Sequence, residues 1–556
     1  MSTHEPINRR TLLRLGVGAG LGVAAAPLLS ACGGGGAAAG KAERFSAALL
    51  PTTTPRDLGL KPDLPGTAAG VPQGFYTYPK NLVRSVPGTP LAGAQTIKAS
   101  LQTFSPPAPG RSGNAAWKAI EERLGCKVDV TAVPADDWPT KFSTMVASGD
   151  IADIFMWPET GGVSNKAAFL DAKCADLTPH LSGDKVKSYP NLAALPRTAW
   201  LDCVFGGKLY AVPITRTGSG GAGFYRHDLF AKAGVTRLDQ ITDVDRFFEL
   251  CKQLTRPKDG VYAIMASVLQ LMAMSHGAPY YWRLDEKAGK FTVDLETPEY
   301  RAAVEMARKL HEAGCYYPGS VSMTNAQKAQ YTDLFKNGKA AMVYDGLPNY
   351  LNPTTGYIDS MAQIDAGFDV RPMVPVGSKA VTWADNTTLR QVHIKKAPDA
   401  RVKQLLQLAN FAAAPFGTEE YTLIQYGVEG VDHRRDGEGN PILTKQGSQD
   451  IAVPWKMLAS PLPVVYSAGK RDAVRHQHEA QSKMIPMMAP NAIAGLTSPT
   501  WDSKGLGSLH TLKADGLKDI ISGRKPMSAY DSLVKEYLSK GGEKCRAEFQ
   551  EALQKG

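Results

Sequence analysis

Cys32 closes the tetrapeptide Leu29-Ser30-Ala31-Cys32, behind the arginine pair Arg9-Arg10 and a weakly apolar stretch from Leu15 to Leu29. Charge, apolar segment, small residues and then cysteine is the order of an export signal ending in a lipoprotein box. The chemistry expected there is acylation: the thiol takes a diacylglyceryl group and Cys32 becomes the new N-terminus. Two acyl chains give stable anchoring where one would be marginal. The surrounding Asn8-Arg9-Arg10-Thr11-Leu12-Leu13-Arg14 resembles a twin-arginine signal. Diluted by Gly16, Gly18, Gly20 and Gly22, the apolar stretch falls short of the roughly 20 residues that a membrane span needs. A glycine run, Gly33 to Gly36, follows as a tether. These residues place the chain, as an expectation, on the extracellular face of a membrane, held by lipid.

The other six cysteines are Cys126, Cys174, Cys203, Cys251, Cys315 and Cys545. None forms a CxxC pair and no histidine stands at zinc-finger spacing, so neither a metal nor a cofactor is expected. Cys174 and Cys203 flank one loop-rich stretch and are the pair expected to form a disulfide, if any does. His476 and His478, two apart on a predicted helix, do not share a face. Glu159, Asp345 and Glu429 are carboxylates that could supply the two a glycosidase requires, roughly 5–9.5 Å apart. No G-x-S-x-G, H-E-x-x-H or phosphate loop occurs, so an enzyme, a secreted glycoside hydrolase or lyase, is only the alternative reading. The formal net charge is +10, from 63 Lys and Arg against 53 Asp and Glu, and the basic residues are scattered. Without a basic stripe interleaved with aromatics, nucleic acid is excluded as a partner.

At 556 residues the chain exceeds the roughly 250–300 residues that one core serves, so two lobes are expected. Gly33 to about Gly93 is rich in Pro, Gly, Thr and Ala, as tethers are, although Phe75-Tyr76-Thr77-Tyr78 predicts an arm lying along the body. Regular order starts near Thr96. Ile97 to Leu101, Lys127 to Val133 and Asp153 to Trp157 read as strands, separated by helices over Asn114–Leu124 and Trp138–Ser148. Strand-helix-strand-helix-strand predicts right-handed crossovers and a parallel α/β sheet. Ligands bind such sheets beyond the carboxyl ends of the strands, which puts Phe104-Ser105, Pro134-Ala135-Asp136 and Trp157-Pro158-Glu159 on one rim. Further helix starts are read at Thr242-Asp243, at Thr297-Pro298 and at Ser528, the last with a stripe of Tyr530, Leu533, Val534, Tyr537 and Leu538 halted by Gly541-Gly542.

Several segments, in this order, resemble the extracellular solute-binding lipoproteins of ABC sugar importers, and most closely the large oligosaccharide-binding subgroup, LplA- and LipO-like. They are Asp137-Trp138-Pro139-Thr140-Lys141 with Ala147-Ser148-Gly149-Asp150-Ile151-Ala152-Asp153-Ile154, Gly207-Lys208-Leu209-Tyr210-Ala211-Val212-Pro213, and Gly223-Phe224-Tyr225-Arg226-His227-Asp228. Phe335-Lys336-Asn337-Gly338-Lys339-Ala340, Tyr426-Gly427-Val428-Glu429-Gly430 and Ile521-Ser522-Gly523-Arg524-Lys525-Pro526 complete the set. The resemblance implies a two-lobed periplasmic-binding-protein-like fold of type II, with the solute trapped between lobes joined by hinge strands. It implies a non-enzymatic monomer that captures a carbohydrate and delivers it to the transmembrane subunits of an ABC permease. The expected division is a signal over 1–31, tether and arm over 32–95, and first lobe over 96–214. The second lobe then takes 215–373, a return to the first 374–430, and the second lobe's remainder with C-terminal helices 431–556. Some relatives carry a calcium loop; here Arg256-Pro257-Lys258-Asp259-Gly260 has too few oxygen ligands for one.

A sugar presents apolar C–H faces and hydroxyls, so its site needs aromatic platforms and planar polar groups. On that basis Trp157 with Glu159 at the first rim, Trp383 past the return hinge, and Tyr344-Asp345 after a buried strand are the expected ligand contacts. Tyr225 beside the first crossing, Trp282 after Tyr280-Tyr281, and Glu429 between permissive glycines are the others.

Overall fold

The computed structural model describes residues 48–555 apart from 160, 161, 164, 325, 326, 353–355, 385, 386, 495 and 497. The signal, Cys32 and the glycine tether lie outside the described residues. Local signals explain why the elements form where they do. The Asn114 side chain accepts from the amide of Trp117 at 2.8 Å and starts the helix Ala115–Leu124, which Gly125 ends in the left-handed conformation. Asp243 and Thr297 cap Val244–Leu254 and Pro298–Glu312 in the same way. The cap expected of Ser528 is not made: its backbone is already helical and its side chain caps nothing. Nor do Gly541 and Gly542 halt the chain; Gly541, at φ 151°, kinks it between the helix Ala529–Tyr537 and the final helix Glu543–Lys555.

Four strands open the first lobe: β1 (Ile97–Thr103), β2 (Val128–Pro134), β3 (Ile154–Met156) and β4 (Ala211–Thr215). After a short crossing come β5 (Gly221–Arg226), β6 (Tyr262–Met265), β7 (Ala340–Gly346) and β8 (Val370–Met373) of the second lobe. The return carries the two-residue β9 (Thr382–Trp383), and β10 (Thr388–Ile394) then enters the first sheet. The sheets run β2-β1-β3-β10-β4 and β8-β5-β7-β6. In the first, β1, β2 and β3 are parallel and only β10 is reversed, against β3 and β4. In the second, β5 opposes β7 and β8 while β6 and β7 are parallel. Consequently the carboxyl ends of β1 to β4 and the start of β10 share one edge of the first lobe, the edge from which the chain leaves for the second.

Each lobe has its own core. Trp138, Phe142, Phe155 and Trp200 fill the first; Phe230, Phe247, Trp282 and Phe549 fill the second, beside a smaller cluster around Phe224, Tyr350 and Tyr357. The arm is tied down by the buried carboxylate of Glu420. It accepts from the amides of Ser85 and Val86 at 3.0 and 3.1 Å, and pairs with Arg123 at 2.7 Å. Phe75 and Tyr78 pack on Phe416. The boundary expected at 430 falls later. Val453, Trp455 and Leu458 belong to the first core and Ala473 to the second lobe, so the third crossing lies between Ala459 and Ala473. The cause is local: Asp450 accepts from the amide of Ala115 at 3.0 Å, and Trp455 meets Trp117 edge-on at 6.0 Å, holding this segment on the first lobe.

Candidate functional site

The first and second crossings bound a cavity of about 300 Å³ on the second-lobe side. Ser219, Gly220 and Gly221 form its hinge wall, Tyr344 and Asp345 project from the end of β7, and Thr382 and Trp383 close it from β9. Trp383 and Tyr280 stack with centroids 5.0 Å apart and planes 26° from parallel, and the Trp383 indole N–H donates to the carbonyl of Ala278 at 2.8 Å. With its polar handle committed, the indole is left to act as a surface. Lys328 and Tyr331, one helical turn apart on the helix Lys328–Lys336, line the same cavity with Gln270.

Asp345 is buried and its carboxylate is fully engaged. It accepts from the Tyr357 hydroxyl and the Asn349 amide at 2.7 Å each, and pairs with Lys328 at 2.5 Å. Burial and this charge together drive the Tyr357 hydroxyl far above its ordinary pKa, so it stays a donor. Asp345 therefore orients Lys328 more than it offers a free acid or base. It is the one carboxylate lining the cavity among the described residues. Burial, aided by the negative field of Asp345, also pushes Tyr331 up to about 12. Gly221 lets the Tyr344 ring lie close against the strand: a Cβ there would lie 2.5 Å from the Tyr344 hydroxyl oxygen, so the ring would have to move.

Tyr344, Asp345 and Trp383 are thus brought together, and the other expected contacts are not. Trp157 is only 8% exposed and sits among Phe142, Phe169 and His393, at centroid distances of 5.1, 5.7 and 5.3 Å. It directly follows β3, and Lys166 caps its ring at 4.6 Å. Burial brings the Lys166 ammonium down to about 8. Glu159 does reach the edge of the first lobe but forms an ion pair with Arg390. Tyr225 is buried against Phe230 at 4.6 Å and faces a different cavity, of about 230 Å³, with Arg371 and His476. It shares a face of β5 with Gly221, but four residues along a strand is roughly 13 Å. Trp282 is core, between Phe291, Trp501 and Phe549. Glu429 is exposed, pairs with Arg435 at 3.0 Å, and lines neither cavity. Cys174 and Cys203 are buried free thiols, as are the other four described cysteines, and serve as small apolar core residues.

Sequence reasoning named Tyr280 only as a neighbour of Trp282, not as a contact. Strand alternation from Trp282 would put both on one side, but Tyr281 adopts φ 57°, which breaks the alternation and turns Trp282 inward while Tyr280 meets Trp383. Lys328 and Tyr331 carry no signal beyond ordinary helix spacing.

Two α/β lobes crossed by hinge segments, with an aromatic-walled cavity at the crossings, define a two-lobed solute-binding protein. The chain belongs to the family of bacterial extracellular solute-binding proteins, whose model matches residues 106–415. It is similar to the polygalacturonan/rhamnogalacturonan-binding protein YtcQ of Bacillus subtilis, 24% identical over 461 residues that cover 79% of this chain and 88% of that one. Its fold is similar to a solute-binding protein associated with an HMO-binding ABC transporter of Bifidobacterium longum infantis. That likeness has a TM-score of 0.60 and 15% identity, covering 83% of this chain and 98% of the other. It is also similar to the alginate-binding protein AlgQ2, with a TM-score of 0.59, 15% identity and coverage of 82% and 97%.

Proposed function

We propose that this protein captures a carbohydrate, an oligosaccharide, in the cleft between its lobes and hands it to the transmembrane subunits of an ABC permease. The observation that carries the reading is the stacked Trp383–Tyr280 pair beside Lys328, Tyr344 and Gln270 at the hinge, a flat apolar face next to convergent polar groups. The names of the similar proteins, which bind polygalacturonan or alginate, support a glycan. The site residues are Tyr344, Asp345 and Trp383, joined by Tyr280, Lys328 and Tyr331. A ligand touching both lobes stabilises the closed arrangement by as much as its affinity for closed exceeds that for open. The protein acts as a monomer, without turnover, anchored outside the cell by lipid on Cys32. No helix among the described residues is long and apolar enough to cross a membrane.

The test is a thermal-shift and calorimetric screen against mono- and oligosaccharides. A true ligand at 100 times its Kd should stabilise the protein by about 2.7 kcal/mol and be recovered intact after a day. Shortened products that scale with protein concentration overturn the binding reading in favour of an enzyme. Cys32→Ser should release the protein from membranes; equal retention of that variant after a carbonate wash rejects the anchor.

A further inference from the structure

The cavity of about 230 Å³ that Tyr225 faces shares no lining residue with the hinge cavity. Its walls come from three places. Tyr225 on β5 and Arg371 on the edge strand β8 stand directly opposite each other in the antiparallel register. Their side chains therefore leave the same face of the sheet, with Cβ atoms about 5 Å apart. The helix Arg471–Met484 packs on β8 and lines the cavity with His476, Glu479 and Lys483, a stripe spaced by three and four residues. The turn carrying Arg237 and Asp239 supplies the third wall.

The polar groups here are unevenly used. The Arg237 fork holds Asp239 at 3.0 and 3.1 Å, Arg475 holds Glu479 at 3.0 Å, and Nε of Arg371 donates to Asp369 at 3.0 Å. Each of these acids has its arginine. Left over are Nη1 of Arg371, the ammonium of Lys483 and the hydroxyl of Tyr225, none of which has a partner among the described residues. Tyr225 is only 4% exposed, yet its hydroxyl is not sealed from water, so this buried side chain opens on the cavity through its polar end. A guanidinium with a spare N–H, a lysine point charge and a phenol are all donors, and such groups bind a charged acceptor most strongly. The volume is below the roughly 300 Å³ at which pockets for drug-sized molecules begin, so the ligand is small.

We propose that this cavity is a second ligand site, separate from the sugar cleft, which takes the oxyanion group of a small molecule, a phosphate or a carboxylate, on Arg371, Lys483 and Tyr225. It does not depend on the carbohydrate reading above.

Calorimetric titration of the full chain with inorganic phosphate and with galacturonate, at an ionic strength held constant with sodium chloride, tests the site. Saturable binding of either supports it; phosphate alone identifies a phosphate ligand and galacturonate alone a carboxylate. Lys483→Gln should weaken that binding by about tenfold or more, the scale of a hydrogen bond between charged groups, and Tyr225→Phe by about fivefold. Lys483 is exposed and Tyr225→Phe keeps the ring, so both variants should melt with the parent. Lys185→Gln, which removes an exposed lysine from the first lobe, should leave binding unchanged, as should Trp383→Ala in the hinge cavity. The site is overturned by no saturable binding of either anion, or by undiminished binding in Lys483→Gln and Tyr225→Phe. An equal loss in Lys185→Gln, which would mean general charge attraction, or a loss in Trp383→Ala, which would put the anion at the hinge, overturns it as well.

Discussion

Four tryptophans in this chain look alike in sequence and differ in what their indole N–H and faces meet. Trp157, Trp200 and Trp282 are buried among apolar side chains, whereas Trp383 is partly open, has its N–H satisfied by Ala278, and shares a face with Tyr280. Truncation should therefore separate them. Trp157→Ala or Trp282→Ala leaves a large cavity and should cost about 3–5 kcal/mol of folding stability. Trp383→Ala should cost about 2 kcal/mol of sugar binding, roughly thirtyfold in affinity, while Trp383→Phe, which retains a flat ring, recovers most of it. Melting temperature and affinity measured on the same preparations decide the matter; unchanged affinity in Trp383→Ala would reject the platform. Residue type alone marked Trp157 and Trp383 as equals at strand ends. What separated them was the tertiary position of Phe142, Phe169 and His393, which no local spacing encodes. Asp345 was legible as a carboxylate following a buried strand, but its engagement by Lys328 and Tyr357 depends on two helices that flank that strand in the chain.

Among the elements, those governed by local rules were readable: the β1–β3 crossovers follow from alternation, an asparagine cap and left-handed glycines. The third crossing was not, because residues 431–459 stay on the first lobe through contacts with the far-off helix Ala115–Leu124. The first crossing yields a direct prediction. Gly221 begins β5 and lies against the Tyr344 hydroxyl, so Gly221→Ala forces that ring out of place. Affinity should fall by up to about tenfold, the scale of one lost polar contact, with little change in melting temperature. Tyr344→Phe removes the nearest clashing atom and one polar contact, so the two substitutions should be less than additive in the double variant. Full additivity would show that Gly221 acts through the hinge backbone and not through Tyr344.

At the scale of the whole molecule, stability should carry the signature of one buried imidazole. His393 on β10 is fully enclosed between Phe155 and Trp157, with Nδ1 at 2.8 Å from the carbonyl of Tyr210, and Nε2 finds no partner among the described residues. Burial first, and the nearby Lys166 charge second, push its pKa down from 6.5 to about 3. The folded protein thus holds a neutral ring at pH values where the unfolded chain already binds a proton. Between pH 6.5 and about 3 the unfolded state is favoured by proton uptake, and stability falls as pH falls, by up to about 1.4 kcal/mol per pH unit from this group. Above pH 6.5 both states are neutral and the contribution is flat. Other titrating groups, among them Asp432, raised to about 6 chiefly by burial, act in the same range, so the comparison must be with a variant. His393→Asn suits it, because the asparagine amide can take the place of Nδ1–H toward Tyr210 while nothing titrates. That variant should be less stable at pH 7, from the lost ring, yet lose less further stability between pH 7 and pH 4 than the parent does. Urea midpoints across that range give the measurement. Parallel slopes in the two proteins would mean that His393 is protonated in the native state and that the first-lobe core admits a charge that its packing argues against.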